Sequence, residues 1–321
     1  MATGEQLKAL LQSHFNHDEE RFITMALQIA AYEAKLGRTN VATDVRKIID
    51  RAKTSLPRLK PLNKELDGVL IETVTPYTLK DLIIPTAQTK RIERLLGEYY
   101  QRQKLRLHGL ENRRKVLLEG PPGTGKTMTA SIIANELDLP LYTIMMDKMI
   151  TRFMGETSAK LRQVFETIKE KRGVYLFDEF DAIGGERGRD NDVGEMRRVL
   201  NSFLQFLEKD DSDSIIIAAT NIHDLLDHAL FRRFDDVLHY ENPSLDEVVE
   251  LLTIRLGSFR GKISIKALAK SAIGLSHAEI TRVCIDSIKE SILTDKKTID
   301  RNALIKNIVE RQNAYIKFVK P

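Results

Sequence analysis

The sequence predicts an α/β protein: a parallel sheet with helices on both faces, preceded by a small helical domain and followed by a helical lid. Three observations predict this. Between residues 81 and 242, short apolar runs (Val116–Leu118, Leu141–Met145, Val174–Phe177, Ile215–Ala219 and Val237–Tyr240) alternate with segments of helical spacing. Strands joined through helices pair in parallel and are buried on both faces. After Pro243 the strand signal ends, and residues 244–257, 264–272, 276–294 and about 298–315 keep a helical period. Residues 1–55 hold three short helical patterns of their own.

In the first module, Leu7, Leu10, Leu11 and Phe15 fall at helical spacing. Asn16 with Glu19 forms a capping-box pattern that opens a second helix, which carries Phe22, Met25, Leu27, Ile29, Ala30 and Leu36 and stops at Gly37. Asn40 can cap a third helix with Val45, Ile48 and Ile49. Three such helices make a weak core alone, and the segment reads as an N-terminal docking module for a substrate or partner, with a packing appendage on the main domain as the alternative. Residues 56–80 contain Pro57, Pro61, Gly68 and Pro76 and read as a linker with some extended structure. The α/β domain then spans 81–242 and the lid 243–321.

Composition bounds the function. With 42 % hydrophobic and 30 % charged residues the chain has a globular balance. Trp is absent and aromatics are 6 %, so a core of Ile, Leu, Val and Ala is expected. The net charge of +4 is too small an excess to imply nucleic-acid binding. Cys284 is the only cysteine, so no internal disulfide forms; its spacing with Ile280, Val283 and Ile288 makes it a core residue. No signal-peptide pattern and no membrane-length apolar run is present, so a cytoplasmic protein without membrane partners is expected.

Gly120-Pro121-Pro122-Gly123-Thr124-Gly125-Lys126-Thr127 fits G-x-x-x-x-G-K-[ST] and lies between the strand Val116–Leu118 and a helix that opens with Met128 and runs through Ile132 and Ile133. Glycines let backbone N–H groups turn around phosphate oxygens, and the helix aims its positive end at the same charge. Lys126 then reaches the terminal phosphates, and Thr127 offers an oxygen to Mg²⁺. The sheet is therefore predicted to be that of a P-loop nucleotide hydrolase. Val174-Tyr175-Leu176-Phe177 is a buried strand with Asp178 and Glu179 at its carboxyl end, where open parallel sheets bind ligands. Asp178 is placed to hold Mg²⁺ and Glu179 to activate the attacking water.

With these motifs in place, the sequence resembles the AAA ATPase family of the AAA+ superfamily, over roughly residues 80 to 295. Gly120–Thr127 and Phe177-Asp178-Glu179-Phe180-Asp181-Ala182-Ile183 resemble its Walker A and Walker B signatures, and Ile217-Ala218-Ala219-Thr220-Asn221 its sensor 1 strand. The resemblance implies ATP and Mg²⁺ as cofactors and Asn221 as a polar group that helps position the lytic water. Asp227 to Asp235 resembles the second region of homology, which implies that Arg232 and Arg233 reach the nucleotide of a neighbouring subunit. They stand side by side, without the longer Arg-x-x-Arg spacing, and which of the two inserts stays open. Gly274-Leu275-Ser276-His277-Ala278-Glu279-Ile280 resembles the lid's nucleotide-contacting motif, with Ala278 where other AAA+ proteins carry a sensor 2 arginine. Asp81, Leu82 and Ile83 match the segment that flanks adenine in the family.

Phe153-Met154-Gly155-Glu156 resembles the family's aromatic pore loop, which implies a grip on extended polypeptide in a central channel. Gly184 to Asp190 falls where a second pore loop would be; a plain polar loop is the alternative. The family's Asp-Gly-Phe inter-subunit segment is replaced by Leu207-Glu208-Lys209-Asp210-Asp211. Neither a His-Glu-x-x-His protease motif nor a hydrophobic-Tyr-any terminus occurs. The resemblance implies a homo-oligomeric ring, most simply a hexamer, that hydrolyses ATP to remodel, unfold or translocate protein substrates. An alternative is a nucleotide-dependent switch that recruits or activates a separate effector or protease. A third reading, nucleic-acid remodelling through Arg102, Lys104, Arg106, Arg113, Arg114 and Lys115, is disfavoured because this stretch looks like a solvated helix face.

Overall fold

The structure, a computed structural model, describes residues 8, 13, 19–35, 43–45, 47, 66, 68–73, 77–150, 154–184, 190–221 and 231–319. The chain divides into two compact units, Met1–Asn63 and Lys64–Pro321. In the first, α1 spans Glu19–Lys35 and buries Ala30 and Glu33, with Phe22, Met25 and Ile29 half-buried beside them. The expected first helix and the 56–65 stretch of the linker lie largely outside the described residues.

The second unit is built on six strands: β1 (Leu70–Thr73), β2 (Lys115–Glu119), β3 (Leu141–Met145), β4 (Val174–Asp178), β5 (Ile215–Thr220) and β6 (Asp236–His239). Their order is β1-β3-β4-β5-β2-β6, parallel except for β1, which pairs antiparallel with β3. The five parallel strands are those expected from the apolar runs. Strand β1 comes from the segment expected as linker. It hydrogen-bonds to an edge, and its last three residues are exposed, so its side chains carry no buried-strand pattern.

The helices between strands are α2 (Thr86–Tyr100), α3 (Arg102–Leu107), α4 (Lys126–Glu136), α5 (Met146–Met149), α6 (Met154–Glu170), α7 (Asp181–Gly184) and α8 (Asp190–Lys209). On one face of the sheet, Val116, Leu118, Leu176 and Ile217 pack against Ile92, Leu95 and Tyr99 of α2 and Ile133 of α4. The other face departs from the expected aliphatic core. Phe165 of α6 and Phe203 of α8 meet Phe177 at 5.9 and 5.0 Å between ring centroids, and Phe180 meets Phe203 at 4.6 Å. These phenylalanines meet in stacked, tilted and edge-to-face geometries worth about 0.5–1.5 kcal/mol per pair beyond their burial.

The lid consists of α9 (Leu245–Leu256), α10 (Ile265–Ser271), α11 (His277–Leu293) and α12 (Arg301–Val319). Ser244 with Glu247, and Ser276 with Glu279, form reciprocal capping boxes at α9 and α11. Leu252, Leu268, Cys284, Leu304 and Ile308 make a separate core. Burial pushes the Cys284 thiol up to about 12, as suits a packing residue. Ile83 belongs to this lid core, whereas Ile84 packs in the sheet core and Leu82 against it. The strap before α2 thus joins both layers.

At the amino ends of the parallel strands, the Arg114 guanidinium pairs with the Asp210 carboxylate and also donates to the Asp210 carbonyl, with both side chains more than nine-tenths buried. Removing one partner strands a buried charge. Asp210→Ala is therefore expected to lower unfolding free energy by about 3–5 kcal/mol, checked by urea denaturation; a loss no larger than for a surface Asp→Ala control would contradict it.

Candidate functional site

Parallel register aligns the carboxyl ends of the central strands. Glu119 pairs with Thr220 and Met145 with Asp178, so the glycine loop, the acidic pair and Asn221 emerge along one edge. The loop leaves β2 at Gly120, whose N–H donates to the Thr220 carbonyl at 3.3 Å. Gly120 takes φ +139° and lies so close to Tyr240 that a Cβ there would strike its carbonyl. Gly125, at φ +108°, caps α4 in a left-handed conformation that suits glycine.

Lys126 opens α4 and is buried. Its Nζ donates to the carbonyls of Gly120 at 2.6 Å and Pro121 at 2.8 Å. Burial holds its pKa below the ordinary ammonium value, against the opposing charges of Asp178 and Asp181. Phosphate oxygens, being charged, are stronger acceptors than these carbonyls. Thr127 Oγ1 donates to Asp178 Oδ2 at 2.9 Å, which brings the hydroxyl and the carboxylate of the two motifs together.

Glu179 follows at φ +52°, an uncommon conformation for a residue with a side chain. Its N–H donates to Asp178 Oδ1 at 2.9 Å, and its carbonyl accepts from Ala182 N–H. Asp181 Oδ1 accepts the Asn221 N–H at 3.2 Å and lies 3.4 Å from Thr220 Oγ1. Walker B-like and sensor-like segments are therefore tied together by this third acid.

The lid closes on the loop. Ala278 N–H, in the first turn of α11, donates to the Gly123 carbonyl at 3.0 Å. A Cβ at Gly123 would lie 2.7 Å from Ser276 Oγ and 3.1 Å from the Ala278 methyl. Between loop, strap and lid lies a cavity of about 540 Å³. Asp81, Leu82 and Ile83, the loop from Gly123 to Met128, and His277 with Ala278 all line it. Pro121 and Pro122 line a neighbouring cavity together with Gly274, Ser276 and Ala278.

Residues that sequence reasoning did not name also line the cavity: Tyr77, Leu251 and Arg255, with Thr281 and Ile285 of α11. Thr281 and Ile285 stand four and eight residues after His277, so helical spacing could have found them. Arg255 offered no such signal, because it reaches the site only through the packing of α9 on α11.

The arginine pair lies elsewhere. Asp235, two residues after Arg233, accepts the backbone N–H of Arg114 and Lys115 at 2.9 Å each, at the amino end of β2. Arg233 Nε is 3.1 Å from Glu208 Oε1, and Arg232 is exposed. Strand β2 runs about 13 Å from there to the glycine loop. Phe153, Gly185–Arg189 and Asp227–Leu230 lie outside the described residues. Met154 and Gly155 begin α6, and Gly184 ends α7.

Comparison with known proteins agrees with this architecture. The sequence pattern of the ATPase family associated with various cellular activities (AAA) matches residues 116–242. An uncharacterized AAA family ATPase, y4kL, of Sinorhizobium fredii is 34 % identical over 306 residues, covering 93 % of this chain and 92 % of that protein. An ATP-dependent zinc metalloprotease FtsH of Parabacteroides distasonis is 32 % identical, over 73 % of this chain and 36 % of its own length. A proteasome-activating nucleotidase of Methanopyrus kandleri is 34 % identical, over 62 % and 48 %. The chain thus spans nearly all of the first relative and between a third and a half of the other two. A phosphate loop and a lid lining one pocket, an acidic pair joined to that loop through Thr127, and a full-length relative lead to one conclusion: the chain belongs to the AAA family of ATPases and hydrolyses ATP.

Proposed function

We propose that the chain works as a homo-oligomeric ring, most simply a hexamer, in which ATP hydrolysis drives the remodelling or translocation of protein substrates. The observation that carries the ring is the separation of Arg232 and Arg233 from their own glycine loop. Both sit by the amino end of β2, while phosphates bind at its carboxyl end. Among the described residues, Arg255 is the one arginine that lines the pocket, on the lid side, and Arg232 and Arg233 stand away from the loop that takes the phosphates. A neighbouring copy brings its own pair to that loop.

Within the pocket, Gly123, Thr124, Gly125 and Lys126 bind the phosphates, and Glu179 orients or deprotonates water, with Asn221 beside it. Asp81, Ile83, Met128, His277 and Ala278 surround the nucleoside. Thr127 and Asp178, already 2.9 Å apart, are the residues that would hold magnesium, which supplies charge neutralisation at the phosphates.

Protein as the substrate class is supported by two relatives whose names couple a nucleotidase or ATP to proteolysis. Nucleic acid is disfavoured by how the basic stretch is used. Arg106 pairs with Asp213, Arg113 with Glu98 and Arg114 with Asp210, and Arg102 lies over the Tyr99 ring at 4.6 Å. No helix among the described residues is long and apolar enough to cross a membrane.

The test uses casein as an unfolded polypeptide. Casein is expected to stimulate ATP hydrolysis by the wild type, and Phe153→Ala to lose that stimulation relative to its own rate without polypeptide. Equal stimulation of the variant would remove Phe153 from substrate contact. A wild type insensitive to any unfolded polypeptide would favour the switch that acts on a separate effector or protease.

A further inference from the structure

The cavity that Pro121 and Pro122 line has a volume of about 620 Å³ and shares only Gly123 and Ala278 with the nucleotide cavity. Its apolar lining comes from the two prolines of the loop and from Ile273 and Leu275, just before α11. Ile273, Asn242 and Asn313 are exposed, so the cavity opens to solvent. An occupant would touch the loop and the lid at once.

The polar lining is made of acceptors. Glu279 Oε2 accepts the Ser276 N–H at 2.7 Å and completes the capping box, but Glu279 Oε1 is buried without a hydrogen-bond partner. The side-chain amide donors are spent on the backbone. Gln312 Nε2 donates to the Ser271 and Ile273 carbonyls at 2.8 and 3.4 Å, and Asn242 Nδ2 to the Gly274 carbonyl at 3.4 Å. At the start of α11, Ala278 N–H is taken by Gly123 and Glu279 N–H by Ser276 Oγ. No Lys, Arg or His is among the described residues of the lining.

A carboxylate oxygen held out of water without a donor is costly, and buried polar atoms are ordinarily satisfied. The missing partner is a cation, because an ionised donor makes the stronger, charge-assisted bond to a carboxylate. A bare divalent metal ion does not suit, since Glu279 is the one acid in the lining and such ions need several oxygen ligands. The apolar walls ask for a hydrocarbon stem. Arginine and lysine combine the two, laying their methylenes along apolar surface and ending in a charge.

We infer that this cavity seats an arginine or lysine side chain of a protein partner, with its charged head on Glu279 and its stem against Pro121, Pro122 and Ile273. A polypeptide, unlike a free amine, also brings backbone N–H groups to the amide oxygens of Asn242 and Asn313 at the mouth.

Calorimetry on the full chain in excess ADP, which keeps the nucleotide cavity filled, tests this with three probes. They are arginine blocked by acetyl and methylamide groups, citrulline blocked in the same way, which is neutral and nearly the same shape, and agmatine, the arginine side chain as a free amine. Blocked arginine should bind, and blocked citrulline roughly tenfold more weakly. Glu279→Gln keeps the capping pattern of α11 and should weaken blocked arginine roughly tenfold while leaving citrulline as it was. Ile273→Arg, at an exposed position, sets a guanidinium at the mouth and should weaken blocked arginine by a similar factor; it decides alone where Glu279→Gln does not fold. A wild type that binds neither cationic probe, equal binding of arginine and citrulline, or unchanged arginine binding in either folded variant overturns the proposal. Agmatine binding more tightly than blocked arginine overturns the protein partner as the source of the cation.

Discussion

Glu179→Gln is expected to bind ATP as the wild type does and to lose turnover by roughly 10²–10⁴-fold, the usual contribution of a positioned general base. The expectation follows from where the side chain stands. The strand Val174–Asp178 is buried through Phe177, half-buried at Asp178, and delivers Glu179 to the exposed carboxyl edge of the sheet. There its backbone is held at φ +52° by its N–H bond to Asp178 and by the Ala182 N–H on its carbonyl. A left-handed conformation at a side-chain-bearing residue costs on the order of 1 kcal/mol or more and persists only where neighbours enforce it. Glutamine has the same shape and bears the same strain, so the fold and the Thr127–Asp178 contact should survive. What disappears is basicity. Phosphate release should collapse while nucleotide binding, measured separately, holds. Loss of both would make Glu179 a structural residue; unchanged turnover would move the base elsewhere.

How much of this could be read from the sequence depends on how local each cause is. The five parallel strands were legible because strands buried on both faces are almost uninterrupted apolar runs, and Ile215–Thr220 is buried throughout. The glycine loop was legible because its residue types answer a demand of the backbone, as Gly120 against Tyr240 illustrates. Strand β1 was not, since an edge strand that exposes Ile71, Glu72 and Thr73 owes its existence to the hydrogen-bonding edge of β3 some 70 residues away. The phenylalanine face was missed for a related reason. Low aromatic content says nothing of where twelve phenylalanines gather, and Phe165, Phe177 and Phe203 meet only once α6 and α8 lie on β4. The nucleoside end of the pocket is the strongest case. His277 falls within a recognisable turn, but Arg255 closes onto it from α9, and no spacing in the chain records that approach.

The largest effect after Glu179 is expected at the arginine pair, and it should be restorable in trans. An arginine that reaches the transferring phosphoryl is worth about 10³–10⁵-fold in turnover. Arg232→Ala should fall in that range, because this side chain is exposed and makes no ion pair among the described residues. Arg233 is tethered to Glu208 at 3.1 Å, near the end of α8. The pair is half-exposed and worth at most about 1 kcal/mol, so Arg233→Ala tests orientation more than stability. The decisive arrangement mixes two inactive proteins. A Glu179→Gln subunit keeps its arginines but cannot activate water; an Arg232→Ala subunit keeps its pocket but lacks the guanidinium. If the arginine crosses between copies, rings containing both should recover hydrolysis at the junctions where the Arg232→Ala pocket faces the Glu179→Gln neighbour. If each chain serves its own phosphate, every mixture should remain as inactive as its parts.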